Sequence, residues 1–260
     1  MTETLRRIGQ ELRRYYYAAE KRLPHNLVFA RQARRLFGGL RYIEVLQYLH
    51  ETRRFRRYLE IGVATGGTLT LSKALVSYGV DPDFNLRFPL EGNFVLVRTT
   101  SDRFFAEYAG EKFDFAFVDG LHVAQQVAKD IFNASRVLVP GGLIALHDTV
   151  PINRVVASPT RYTTVWTGDV YRALLPYLDR FPADVLTFLA PPSGLSFIKA
   201  SRELLASLEA PLAPCTGDHR SCMRRIVARA RQVRSLTDLE EALLHLGAPA
   251  AVAGAGGASQ

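Results

Sequence analysis

The 260 residues, 48% hydrophobic and 22% charged, describe an ordinary soluble chain, long enough for one large domain or for a core domain with appendages. Two cysteines, Cys215 and Cys222, argue against a disulfide framework or a cysteine zinc site; no apolar run reaches the roughly 18 residues of a spanning helix, and no apolar stretch follows the basic amino terminus as in a secretory signal, which leaves a cytoplasmic location. The net charge of +8 is uneven: residues 1–57 hold 14 basic and 5 acidic side chains, net +9, against 19 and 20, net −1, over the rest.

Residues 1–57 read as a basic helical leader, with helices over 1–20 and 27–50. Pro24 breaks between them and Gly38-Gly39 divides the second. Such a leader reads either as a solvated face, a lid or an element of a homo-oligomer, or as a surface for nucleic acid or an anionic membrane. Tyr15, Tyr16 and Tyr17 point in three directions on a helix and make no single stacking platform. Strands are predicted at 58–62, 77–81, 93–98, 113–118, 142–147, 184–189 and 194–199, and helices at 67–75, 101–108, 122–137 and 169–180. This alternation predicts an α/β fold, a Rossmann-like, mostly parallel seven-stranded sheet covered on both faces. Pro191-Pro192-Ser193-Gly194 between the last two runs predicts a closing hairpin. The core domain is thus 58–200. Residues 201–246 read as a helical appendage with a break at Pro211–Gly217, and 247–260 as a disordered Ala/Gly tail.

Three places concentrate chemistry. The run Tyr58–Thr68, YLEIGVATGGT, ends a buried strand in Glu60 and then breaks into Gly62, Gly66 and Gly67. Glycines let a chain turn sharply and approach a ligand, and a following helix would aim unpaired N–H groups back at the loop. Asp81 stands about 20 residues on, where an acidic side chain meets a ribose in Rossmann-type sites, or else it opens a turn with Pro82. Two further strands release Asp119-Gly120-Leu121-His122 and His147-Asp148 at their carboxyl ends, the side on which open α/β sheets bind ligands. On adjacent strands about 4.8 Å apart, Asp119 and Asp148 would converge and need a cation or proton between them, for which a hard divalent ion suits. The alternatives are a helix cap at Asp119, an Asx-turn at Asp148, a solvent-facing His122, and a His147 sent opposite to Asp148 by strand alternation.

The spacing Glu60-x-Gly62-x-x-x-Gly66-x-Thr68 resembles the first motif of class I S-adenosylmethionine (SAM) methyltransferases. The order GVDPD (79–83), TSDRFF (100–105), KFDFAFVDGLHVAQQVAKDI (112–131), GGLIALHD (141–148), PIN (151–153) and WTGDVYRAL (166–174) is similar to a bacterial branch of that family, which includes metal-dependent sugar and macrolide O-methyltransferases and cephalosporin-hydroxylase-like proteins. The resemblance covers roughly residues 58–200. It implies that Glu60, Gly62, Ala64 and Gly66 bind the methionine part of SAM, Asp81 the ribose hydroxyls, and Ser101 and Asp102 the adenine. It also implies that Asp119, which joins the cofactor set, holds a divalent ion, Mg²⁺ or Mn²⁺, together with His147 and Asp148. Relatives often carry Asp or Glu in place of His147, and imidazole favours softer ions. The turn APPSG departs from the acidic Gly-Cys turn of that branch.

The implied activity is O-methylation of a hydroxyl on a sugar, glycan or small natural product, with His122 as general base and Asp119 beside it. Three alternatives stand beside it: a SAM- or nucleotide-binding protein without catalysis, a nucleic-acid methyltransferase using the basic leader, and oxidative chemistry on His122, His147 and Asp148. The chain has no Asn-Pro-Pro-Tyr-type motif for amino methylation of a base.

Overall fold

The computed structural model describes residues 24–162 and 165–247. The helix expected over residues 1–20 and the tail from residue 248 lie outside the described residues. Apolar runs bounded by Gly, Pro and Asp form seven strands: β1 (Arg57–Ile61), β2 (Val76–Val80), β3 (Phe94–Val97), β4 (Phe113–Val118), β5 (Leu138–His147), β6 (Val185–Phe188) and β7 (Leu195–Lys199). They make one sheet of order β3-β2-β1-β4-β5-β7-β6. Strands β1 to β5 are parallel, and β7 runs antiparallel to both β5 and β6. The expected α/β fold and closing hairpin are therefore present, with β7 inserted between β5 and β6.

Helices α1 (Pro24–Leu36), α2 (Tyr42–Thr52), α3 (Ser101–Glu107), α4 (Ala124–Val137), α5 (Val170–Arg180), α6 (Arg202–Ser207), α7 (His219–Val227) and α8 (Leu236–His245) complete the described chain. Strand alternation sorts the core into two layers. Leu59, Ile61, Ala116, Val118, Ile144 and Leu146 pack beneath α4 and α5 with Ile131 and Leu174. Tyr58, Phe115, Phe117 and Leu143 pack with Val45, Leu46 and Leu49 of α2 and Leu239 and Leu243 of α8. Helix α2 is thus part of the sheet's own core, although its residues belong to the basic leader by composition. Arg53, just past the end of α2, meets Glu240 of α8 at 2.8 Å, and Tyr48 of α2 donates to the same carboxylate. No helix among the described residues is long and apolar enough to cross a membrane.

Two departures from the expected elements have local causes. The helix predicted over 67–75 is reduced to a single 3-10 turn, Leu69–Leu71. Thr68 donates its hydroxyl to Glu60, and Ser72 bonds Ser77 and the Ala74 amide. Side chains that engage groups elsewhere in this way compete with a helical ladder. The appendage breaks a second time after α7: Arg231 exchanges backbone bonds with Thr187 and Leu189, so this linker covers the outer edge of β6. Covered edges resist pairing with other chains.

His50 of α2 is buried against the rings of Tyr58 and Phe115, at centroid distances of 4.6 and 5.5 Å, and neither ring nitrogen has a hydrogen-bond partner. Burial, and then the charge of Lys73, push its imidazole down to about 3. Between the ordinary 6.5 and about 3, the unfolded chain holds a proton there that the folded chain does not. Stability contributed at this site is therefore complete above pH 6.5 and falls as pH falls, by up to about 1.4 kcal/mol per pH unit. His50→Leu should flatten this acid limb, read as a smaller drop in melting temperature between about pH 7 and about pH 5. An unchanged slope would remove His50 as its source.

Candidate active site

A cavity of about 500 Å³ opens at the carboxyl ends of β1, β2 and β4. Gly62, Ala64, Asp81, Ser101, Asp102 and Asp119 line it, and Gln126 of α4 closes one side. The Asp81 carboxylate accepts the amides of Val63 and Ala64 at 2.9 and 2.8 Å and holds the glycine turn. Ala64 adopts φ 45°, a left-handed conformation that an alanine enters only when its surroundings enforce it. Gln126 bonds both Ser101 and Asp102, and Lys129 pairs with Asp102 at 3.3 Å.

Glu60 and Gly66, also expected at the cofactor, do not line this cavity. Glu60 is fully buried and accepts hydroxyls from Tyr58 at 2.7 Å and Thr68 at 2.6 Å. Burial pushes its carboxyl up to about 8, against those two hydrogen bonds and with help from the charges of Asp119 and Asp81. Gly66, at φ 81°, packs against Leu86.

Beside the cavity, four titratable side chains meet. The β4–β5 register pairs Val118 with Leu146, so Asp119 and His147 follow level with one another. The His147 Nδ1 lies 3.2 Å from Asp119 and 3.6 Å from Asp148. Strand alternation does not send His147 opposite to Asp148, because Asp148 leaves the strand at φ 58°. Ser193, in the closing turn, donates to the Asp148 carboxylate. His122 bridges the two acids: its Nε2 is 3.3 Å from Asp119 and its Nδ1 3.1 Å from Asp148.

The surroundings set the charges. Burial alone would depress the His122 imidazole; the hydrogen bond to Asp119, the charges of Asp148 and Asp119 and the Trp166 carbonyl outweigh it and push it up to about 9. His147 is raised as well, burial being outweighed by Asp148 and Asp119. Burial opposes ionisation of Asp119, yet the His147 charge and hydrogen bonds from both histidines hold it below the usual carboxylate range. The two acids thus favour the charged form of both imidazoles.

The WTGD segment clamps this cluster. The rings of His122 and Trp166 stack with centroids 5.0 Å apart, and the Trp166 carbonyl lies 3.2 Å from His122 Nδ1. Gly168 sits at φ 57°, and a Cβ there would fall 1.8 Å from the His122 carbonyl oxygen. Asp169 accepts the Ala124 amide at 2.8 Å and so caps α4. Gly62 plays the same part on the other side: at φ 87°, a Cβ would meet the Asp119 carbonyl oxygen at 2.2 Å. Its glycine is required by the backbone that carries Asp119, not only by a ligand.

Asp119, His122 and Asp148 offer one ligand atom each, all within 4.8 Å of one another, a spacing that fits a shared divalent ion. This trio contains His122 where the sequence reading has His147. Mixed imidazole and carboxylate donors suit Mn²⁺, Fe²⁺ or Zn²⁺ better than Mg²⁺. Sequence reasoning missed Tyr42, whose ring lies tilted over His147 with centroids 4.0 Å apart, and the bond from Ser193. It quoted the WTGDV motif without a role for it.

Residues 59–149 match a family model described as a methyltransferase domain. The match begins within β1 and ends one residue beyond Asp148. Over that segment, which spans β1 to β5 of the sheet, the chain is similar to a methyltransferase domain. No curated protein matches the chain. Among solved structures, cofactor-bound Rv0187 from MTB shares 15% identity over 68% of this chain and 88% of its own, with a TM-score of 0.47. The O-methyltransferase TomG from Streptomyces achromogenes, in complex with SAM, shares 16% over 77% of this chain and 100% of its own, with a TM-score of 0.46. An O-methyltransferase from Bacillus cereus, in complex with SAH, shares 18% over 76% and 90%, with a TM-score of 0.41. At those scores the likenesses carry none of the reasoning below.

Two outcomes are expected. Between the ordinary 4.5 and about 8 the folded chain keeps a proton on Glu60 that the unfolded chain has lost, so this contribution to stability declines as pH rises and is gone above about 8. Glu60→Gln should flatten melting temperature against pH over that window, whereas a slope matching the parent's would assign it elsewhere. Gly62→Ala should lower the melting temperature and SAM affinity together, because the clash displaces Asp119. A variant as stable as the parent that merely binds SAM more weakly would mean the glycine serves the ligand alone.

Proposed function

We propose that the protein is a SAM-dependent O-methyltransferase acting on a hydroxyl of a sugar, glycan or small natural product, with a divalent cation assisting. The observation that carries this reading is the double position of Asp119. It lines the cavity proposed for SAM, and it belongs to the acid–histidine cluster. An acceptor hydroxyl held at the cluster is then beside the methyl donor, which is the alignment that methyl transfer chiefly requires.

In this reading Gly62, Ala64 and Asp81 hold the methionine and ribose of SAM, and Ser101 and Asp102 its adenine. When bound, SAM supplies an activated methyl group, and a cation held by Asp119, His122 and Asp148 would lower the pKa of the acceptor hydroxyl. The chain must also accept the proton of that hydroxyl. His122 serves as base only after losing the proton that its two acid neighbours stabilise. With His122 drawn into the ligand set, His147 is the remaining imidazole, oriented by Asp119 and by the adjacent ring of Tyr42. This exchanges the two roles read from the sequence.

The test is transfer of labelled methyl from SAM into glycan, lipid, nucleic-acid and small-molecule fractions of a lysate, with and without EDTA. Asp148→Asn should bind SAM nearly as the parent does and lose methyl transfer by about 10²- to 10⁴-fold. EDTA should inhibit the parent, with Mn²⁺ restoring it. Full transfer by Asp148→Asn would remove the cluster from the mechanism. Insensitivity to EDTA would remove the cation and leave His122 or His147 as a metal-free base. SAM binding without transfer into any fraction would favour a non-catalytic binder.

A further inference from the structure

A second, larger cavity of about 720 Å³ lies between the end of α1, the loop after β5 and α7. Its floor is apolar, made by Phe37, Ile152, Leu189 and Met223 among others. Among the described residues, no Asp or Glu lines it. At its mouth stand Arg154, Arg220 and Arg224, all exposed, and none forms an ion pair among the described residues. This differs from Arg225 and Arg229 on the same stretch, which face Asp179. His219 at the same mouth is held below its ordinary value by burial, then by the charges of Arg172 and Arg154, against the opposing charge of Asp218, which also feels Arg224.

The cavity is tied to the cluster by the chain itself. Val150 forms part of its wall. Only Thr149 separates Val150 from Asp148, so at most about 7 Å of backbone lies between them. The Val150 amide donates to the Ser193 carbonyl at 2.7 Å, and the Ser193 hydroxyl donates to Asp148. The acid–histidine cluster is therefore connected to both cavities: Asp119 lines one, and Asp148 lies two positions along the chain from Val150 in the wall of the other. The loop position is fixed on its far side too, because Asn153 bonds Gln32 of α1 at 2.9 Å.

We propose that this second cavity binds an amphiphilic anion, a molecule with an apolar body of drug-like size and one carboxylate, sulfate or phosphate group. On the methyltransferase reading, on which this part rests, that molecule is the methyl acceptor. The apolar floor takes the body, as ligand cavities of several hundred Å³ commonly do. Arg154, Arg220 and Arg224 take the anionic group; guanidinium forks match carboxylate and phosphate oxygens in pairs. A neutral sugar would leave Arg154 and Arg220 without an anionic partner and would bury its hydroxyls against an apolar floor.

Calorimetry on the full chain tests the binding directly, with octyl phosphate, octanoate and neutral octyl glucoside as probes, below their micelle concentrations. The two anions should bind tighter than the glucoside by about tenfold or more, and added salt should narrow the gap, as exposed cations are screened. Arg154→Ala and Arg220→Ala should each weaken the anions by about threefold to tenfold and leave the glucoside unchanged. Met223→Trp should block all three probes by filling the floor, with SAM binding as the check that the fold is intact. Equal affinity for anions and glucoside, or anion binding indifferent to both arginine substitutions, would overturn the proposal; so would full binding by Met223→Trp. Labelled methyl transfer into the lysate fraction retained on both anion-exchange and reversed-phase media gives the second arm. Arginine-dependent anion binding with no methyl transfer would uphold the cavity's ligand class and count against the methyltransferase reading instead.

Discussion

Two carboxylates at the ends of neighbouring parallel strands are the constraint from which the site follows. Asp119 and Asp148 face a shared space with little water to screen them, and like charges so placed must be compensated. The fold brings His122 and His147 to them, and the acids hold both imidazoles toward the charged form. Much of the surrounding geometry maintains that arrangement. The strand register sets Asp119 level with His147. Gly62 and Gly168 let the backbone close on Asp119 and on His122 from opposite sides. Tyr42 and Trp166 each cover one imidazole.

Periodicity revealed the strands because this sheet is buried on both faces, and near-continuous apolar runs such as Phe113–Val118 have few other structural solutions. The convergence of Asp119 and Asp148 was legible for the same reason: both directly follow such runs. The β1–β2 crossover was not. A glycine loop followed by a Thr- and Ser-containing apolar stretch looks like the start of a helix, and nothing local reveals that Thr68 is committed to Glu60 and Ser72 to Ser77. Glu60 illustrates a related difficulty. An acidic residue before a glycine turn looks ligand-facing, yet here it is sealed beneath Tyr58 and Thr68. His147 was misdirected by alternation because a single left-handed residue, Asp148, ends the strand's period, and Asp enters that region more readily than most residues. Tyr42 and Ser193 lie far from the cluster in sequence, so only the folded chain brings them to it.

The clamp around His122 also explains why a short motif such as WTGD carries information. Each position has a separate duty: a ring to stack and a carbonyl near the imidazole, a backbone hydroxyl contact inside the loop, a residue without Cβ, and a carboxylate at the start of α4. A loop whose residues are individually constrained in this way cannot drift in sequence without moving the imidazole. The appendages do comparable service for the opposite layer, where α2 and α8 are fastened through Arg53, Tyr48 and Glu240.

The position of β7 bears on how the chain is made. It is the last strand in the sequence but sits inside the sheet, between β5 and β6. As the polypeptide leaves the ribosome, β1 to β5 can pair among themselves while the outer side of β5 remains without a partner. That edge carries the Leu143–His147 ladder and stays open until residues 195–199 arrive. Open sheet edges are sites of wrong pairing between chains. The segment that ends at residue 149 therefore emerges with five of the seven strands and one edge open, with Asp148 still lacking Ser193. Synthesis of residues 193–199 both seals that edge and supplies the bond from Ser193 to Asp148, so closing the sheet and finishing the cluster are one event.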